Sequence, residues 1–106
     1  MQDPFQAYKR AFDHEESGEL DKAIAAYSEA IRLDPDCAEA YFFRGGVYAK
    51  KDAFDRAIAD YTQAIRFNPK DAEAYRRRAR AYECKGEFSQ AAADCLTAER
   101  LRATRK

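Results

Sequence analysis

A shift of 34 residues brings this chain into register with itself, and that self-similarity restricts its possible folds more than any other feature. With residues 4–37, 38–71 and 72–105 as three units, small residues recur as Ala11, Gly45 and Ala79, as Ala23, Ala57 and Ala91, and as Ala30, Ala64 and Ala98. Large ones recur as Leu20, Phe54 and Phe88, and as Tyr27 and Tyr61, with Cys95 at the third place. Pro35 and Pro69 close the first two units.

Within each unit the period is helical. Tyr41, Gly45 and Tyr48 are spaced by four and three, as are Ala57, Tyr61 and Ala64, so each set forms one face of an amphipathic helix. Gly18, Asp52 and Gly86 fall between the two runs of their units, where a left-handed residue ends a helix. Asp3-Pro4 reads as an N-cap followed by a first-turn proline, and Asp36 with Glu39 has capping-box spacing. The helices are expected near 4–17, 20–33, 38–51, 54–67, 72–85 and 88–103. Alanine or glycine on a contact face lets helix axes approach closely, and the neighbouring tyrosine or phenylalanine fills the space beside it. One hairpin cannot bury both of its sides, so the units stack. The expected fold is all-α: a right-handed superhelix of three antiparallel helix-turn-helix repeats, forming a single domain over residues 1–106 with a concave inner wall.

Composition agrees and excludes several functions. The sequence is 46% apolar, too much for a disordered tail, and 36% charged, with no apolar run long enough to span a membrane. Nineteen basic residues balance nineteen acidic ones, leaving no global positive field for a nucleic acid. The N-terminus lacks the basic-then-apolar layout of a secretory signal, so a cytoplasmic location is expected. Cys37, Cys84 and Cys95 have no metal-ligand spacing, and only His14 could join them, so neither a metal nor another cofactor is expected. His14 occupies a repeated tyrosine place and has no nucleophile at motif spacing, which reads as a packed or half-exposed histidine and not a catalytic base.

The middle unit, AEAYFFRGGVYAKKDAFDRAIADYTQAIRFNP over residues 38–69, resembles the tetratricopeptide repeat in its order of aromatic, small and closing proline residues. The chain departs from that family's pattern at Arg10, Arg44 and Arg78, where leucine is common, and at Ala7 and His14 in the first unit. The resemblance implies a non-catalytic protein-interaction module, a scaffold or adaptor, whose groove is lined by the first helix of each unit. By that mapping the peptide-binding residues are Tyr8, Lys9 and Phe12 from the first unit, Phe42, Phe43 and Lys50 from the second, and Arg76, Arg77 and Arg80 from the third.

The residues themselves bear on part of this. Three consecutive aromatics, Tyr41, Phe42 and Phe43, fan across about 200° of helix surface, too wide for one core contact. Tyr8 and Phe12 share one side of their helix. An aromatic groove floor and packing between adjacent units are both open readings of these rings. Arg76, Arg77 and Arg80 form a cationic patch unless Glu73 and Glu83 neutralise it through pairs at helical spacing. Charge runs along the chain: four basic against nine acidic residues up to Cys37, six against five to Asp71, nine against five thereafter. A ligand's anionic end is therefore expected at the third unit, and the expected partner is a protein or peptide with apolar and acidic residues.

Family members that clamp a chaperone's terminal carboxylates use Lys and Asn, then Asn, then Lys and Arg. Here those places hold Tyr8, Phe12, Phe43, Glu73 and Arg77, so the resemblance does not extend to that clamp. A structural alternative is a self-associating module, a homodimer using Phe88, Leu96 and Leu101 of the last helix. Against it, Arg100, Arg102, Arg105 and Lys106 could make that helix its own soluble cap.

Overall fold

The computed structural model describes residues 3–104. Six helices follow one another: α1 (Pro4–Glu16), α2 (Leu20–Leu33), α3 (Ala38–Lys50), α4 (Phe54–Phe67), α5 (Ala72–Cys84) and α6 (Phe88–Ala103). They pack as sequential antiparallel pairs, α1 with α2, α3 with α4 and α5 with α6, and successive pairs join through α2 against α3 and α4 against α5. The result is an elongated body of 42 × 30 × 20 Å.

The hairpin turns sit where the sequence places them. Gly18, Asp52 and Gly86 have φ of 78°, 60° and 79°, the left-handed conformation that reverses the chain after a helix. Asp52 adopts it without glycine, as a short acidic side chain can. Asp3 caps α1, its carboxylate accepting from the Phe5 amide at 3.0 Å, and Asp71 caps α5 by accepting from the Glu73 amide at 3.1 Å. The Asp36–Glu39 capping box does not form. The residue at the cap of α3 is Cys37, which provides no side-chain cap; Asp36 lies one position too early, and Glu39 instead accepts from the Cys37 thiol at 3.7 Å.

Small residues make the core. Ala11, Gly45 and Ala79 are buried, as are Ala23, Ala57 and Ala91, and Ala30, Ala64 and Ala98. Tyr27, Tyr61 and Val47 are the largest fully enclosed side chains. At Gly45 the approach is close enough that a Cβ would come within 3.0 Å of the Tyr61 ring. The large-residue series does not bury evenly: Leu20 and Phe54 are half-buried, whereas Phe88 is 67% exposed because no further helix packs on α6 among the described residues.

Two ion pairs tie this framework together. Arg44 and Arg78, at positions where the family often has leucine, reach Asp60 and Asp94 on the second helix of the same unit. Their remaining guanidinium nitrogens donate to Ser28 and Thr62 of the preceding unit, at 3.0 and 3.1 Å. Each arginine thus joins three helices.

Candidate functional site

Helices α1, α3 and α5 border an open cleft of about 550 Å³. The cleft exists because α3 presents Gly46 and Ala49 to it. Across from Gly46 the only atom within 4 Å of an ideal Cβ is the Tyr61 hydroxyl, at 3.9 Å. Phe42, Phe43, Phe54 and Tyr61 supply aromatic surface, while Lys50, Arg77 and Arg80 bring cations to the same space.

The rings are both floor and packing. Phe42 meets Phe43 edge-on at 5.2 Å and Tyr61 at 5.8 Å. Phe43 stacks on Tyr27 at 6.3 Å. Tyr8 stands edge-on to Tyr27 and Phe43 at 5.8 and 5.9 Å, so it is half-buried between adjacent units and does not line the cleft. Phe12 is 45% exposed on α1 and Lys9 is exposed beside it; neither lines the cleft.

The cations are unequal. Lys50 is held by Glu15 at 2.8 Å. That carboxylate is itself in the cleft wall and accepts from the Tyr27 hydroxyl at 2.9 Å. Burial, reinforced by the hydrogen bond to Glu15, pushes the Tyr27 phenol far above its usual pKa. Glu73 binds both Arg76 and Arg77, at 3.1 and 2.9 Å, which neutralises part of the expected patch; of these two arginines the cleft is lined by Arg77 and not by Arg76. Burial acts to raise the Glu73 pKa, but the hydrogen bonds from the two guanidinium groups outweigh it and the carboxyl lies below its ordinary value. Arg77 also lies over the Phe42 ring, 5.9 Å from its centroid. Arg80 differs from both: it is exposed, and among the described residues neither Glu83 nor any other side chain pairs with it.

Of the nine residues expected to bind peptide, the cleft gathers Phe42, Phe43, Lys50, Arg77 and Arg80. It also includes Glu15, which the family mapping puts on the groove side of the first helix although its place in a run of acids reads as solvated surface. At the other end of the molecule Leu96 is 65% exposed on α6, while Leu101 is half-buried against the edge of a recess with Asn68, Lys70 and Thr104. Arg105 and Lys106 lie outside the described residues. Cys37, Cys84 and Cys95 are free thiols, and His14 is half-buried with Nδ1 at 3.0 Å from Glu19. No described helix is long and apolar enough to cross a membrane.

A tetratricopeptide repeat sequence pattern matches residues 8–69, and a second pattern of the same name matches residues 60–93. The chain belongs to the tetratricopeptide repeat family. Among solved tetratricopeptide-like structures, MamA superposes with a TM-score of 0.95 at 28% identity, covering 96% of this chain and 60% of MamA. The chain thus spans less than two thirds of that protein's length. The TPR2B domain of yeast Sti1, solved as a complex named for pHsp70, has a TM-score of 0.92 at 28% identity and covers 96% of this chain and 82% of its own. The second tetratricopeptide domain of Spaghetti (RPAP3), bound to the HSP90 peptide SRMEEVD, has a TM-score of 0.90 at 27% identity, with coverages of 94% and 93%. No curated protein matches this sequence.

Proposed function

We propose that this tetratricopeptide repeat chain is a non-catalytic interaction module, built of three units over residues 4–37, 38–71 and 72–105, that binds a peptide or partner segment in the cleft between α1, α3 and α5. The observation that carries this reading is the conjunction of four aromatic side chains with an exposed, unpaired Arg80 in one open cavity. Aromatic surface supplies burial without specifying sequence, and a free guanidinium recognises carboxylates in a bidentate way.

The peptide-bound relatives lend support to peptide docking as the kind of function, but the ligand differs. At the positions of the two-carboxylate clamp stand Tyr8, Phe12, Phe43, Glu73 and Arg77, and Glu73 already occupies Arg77. A segment that mixes apolar and acidic side chains fits this cleft better than a carboxylate-rich terminus. Selection of peptides from a random display library, followed by binding to Gly46→Leu and Arg80→Glu, tests the reading. Enriched peptides lose at least tenfold in affinity in both variants; peptides that bind both variants like the parent remove the cleft as the site.

A second reading is self-association through α6, favoured by Phe88 and Leu96 at 67% and 65% exposure on one helix. Light scattering distinguishes it. Concentration-dependent dimers that Leu96→Glu abolishes and Arg77→Glu leaves intact support assembly, and a monomer at all concentrations ends it.

A further inference from the structure

A second cavity, of about 440 Å³, opens where the start of α1 meets the end of α2 and the loop into α3. Phe5, Tyr8 and Ala30 form its apolar walls, and Asp3, Asp34 and Glu39 stand around it. None of these three carboxylates is in an ion pair among the described residues. Asp3 accepts only the Phe5 amide, Glu39 only the Cys37 thiol, and Asp34 has no side-chain partner. Phe5 is 62% exposed. The negative surroundings register on Tyr8, whose phenol is raised first by burial and then by the charge of Glu39.

This cavity is not isolated from the cleft. Tyr8 in its wall meets Phe43 at 5.9 Å, and Phe43 meets Phe42 at 5.2 Å, so a continuous aromatic stripe joins the two. At one end of the stripe are uncompensated carboxylates; at the other is the unpaired Arg80.

We propose that the partner segment is charged oppositely at its two ends: a lysine or arginine enters the acid-rimmed cavity over Phe5 and Tyr8, apolar residues lie along Phe43 and Phe42, and an aspartate or glutamate meets Arg80. The proposal rests on the peptide-binding reading and specifies the partner's chemistry. A long cationic side chain suits the cavity because its aliphatic stem buries against the rings and alanine while its head stays among the carboxylates. An aromatic face attracts such a head as well. A glutamate in the same cavity would meet three like charges that have no ion-pair partner among the described residues.

The test uses the display-selected peptides as synthetic probes, each compared with its own Lys/Arg→Gln and Glu/Asp→Gln derivatives by fluorescence anisotropy. The proteins are the parent, the Asp34→Asn/Glu39→Gln double variant and Arg80→Ala. Loss of the cationic residue weakens binding to the parent about tenfold and has no further effect on the double variant. Loss of the acidic residue behaves the same way with Arg80→Ala. In parallel, an NMR titration with Nα-acetyl-arginine amide shifts the Phe5, Tyr8 and Glu39 signals of the parent and not those of the double variant, whereas Nα-acetyl-glutamine amide shifts neither. If the peptides remain sensitive to Gly46→Leu and Arg80→Glu but are indifferent to their cations, the cavity assignment falls and the cleft stands. If they are indifferent to the cleft variants as well, both fall.

Discussion

Arg44 on α3 and Asp60 on α4 form a two-pronged ion pair, Nε to Oδ2 and Nη2 to Oδ1 both at 2.8 Å, with the carboxylate side chain only 6% exposed. The guanidinium is flanked by the Tyr41 and Tyr48 rings, each 5.9 Å away, and its third nitrogen donates to Ser28 on α2. Thirty-four residues on, Arg78 repeats the arrangement with Asp94, Tyr75, Tyr82 and Thr62. Arg10 has Ala26 at the corresponding place and makes no such pair. Removing one member of a buried pair leaves an uncompensated charge, whereas removing both leaves an apolar contact. Arg44→Leu is therefore expected to destabilise by about 3 kcal/mol, the family's usual leucine notwithstanding, and Arg44→Leu/Asp60→Leu by less than about 1 kcal/mol. Urea titrations of the four proteins in this cycle give the coupling directly.

That pair also marks the limit of what the sequence disclosed. Hydrophobic period and the recurring alanines located all six helices and the buried small residues, because burial on a helix face imposes a spacing that can be read without coordinates. The arginines stood out as departures from the family pattern, but their partners lie sixteen positions later on another helix, a separation no local rule inspects. The second member of each pair could have been found by carrying the 34-residue shift through the polar positions, where Asp60 and Asp94 recur; so do Asp21 with Lys51 and Asp55 with Lys85, both of which pair between units. At the cleft the sequence supplied the cations but not which of them were already occupied. Glu73 decides that for Arg77 at the helical spacing the sequence leaves as one of two readings, and Glu15 decides it for Lys50 from another helix, 35 positions away.

Two adjacent glycines in α3 respond oppositely to the same substitution. Both are helical, so alanine at either position gains up to about 1 kcal/mol of backbone propensity. At Gly46 the new methyl meets nothing nearer than the Tyr61 hydroxyl at 3.9 Å, and Gly46→Ala is expected to raise the midpoint of thermal unfolding. At Gly45 it comes within 3.0 to 3.2 Å of two Tyr61 ring carbons and the Asp60 Cβ, in a site that Phe42 and the Arg44 pair hold in place. Overpacking costs about 1–3 kcal/mol, so Gly45→Ala is expected to lower the midpoint. Differential scanning calorimetry of the two single variants decides the signs.

Alkaline pH should weaken this fold through its enclosed tyrosines. Burial raises Tyr8, Tyr27 and Tyr61 above the ordinary phenol value, with the Glu15 carboxylate adding to the effect at Tyr27. A group with a raised folded-state pKa stabilises fully below its unfolded value, and that contribution is lost as pH rises beyond it. Stability is expected to be insensitive to these groups below about pH 10 and to fall above it. Absorbance at 295 nm should show Tyr8, Tyr27 and Tyr61 ionising only as the fold opens. Ionisation of these three while the protein is still folded would contradict this. Tyr27→Phe, which also takes a donor from Glu15, is expected to cost about 1–3 kcal/mol at neutral pH.

Glu73 sets the charge that the third pair of helices offers to an acidic partner. It holds Arg76 and Arg77 together, and because their hydrogen bonds keep its pKa below the ordinary carboxyl value it stays ionised throughout the neutral range. The sign follows: a depressed carboxyl contributes stability at neutral pH that is lost only as pH falls through its folded-state value. Both pairs are substantially exposed, so the stability at stake is small, about 0.2–0.5 kcal/mol for each. Their effect on recognition is larger in kind. Glu73→Gln frees two guanidinium groups beside Arg80 without removing any apolar contact of the cleft. Binding of a glutamate-containing selected peptide should tighten about two- to fivefold, by the interaction lost to Glu73, and should depend more steeply on salt. The glutamine derivative of that peptide should bind both proteins alike. Anisotropy titrations at two ionic strengths measure this, and an unchanged affinity for the glutamate peptide would mean that Arg76 and Arg77 take no part in the site and that Arg80 alone carries its charge.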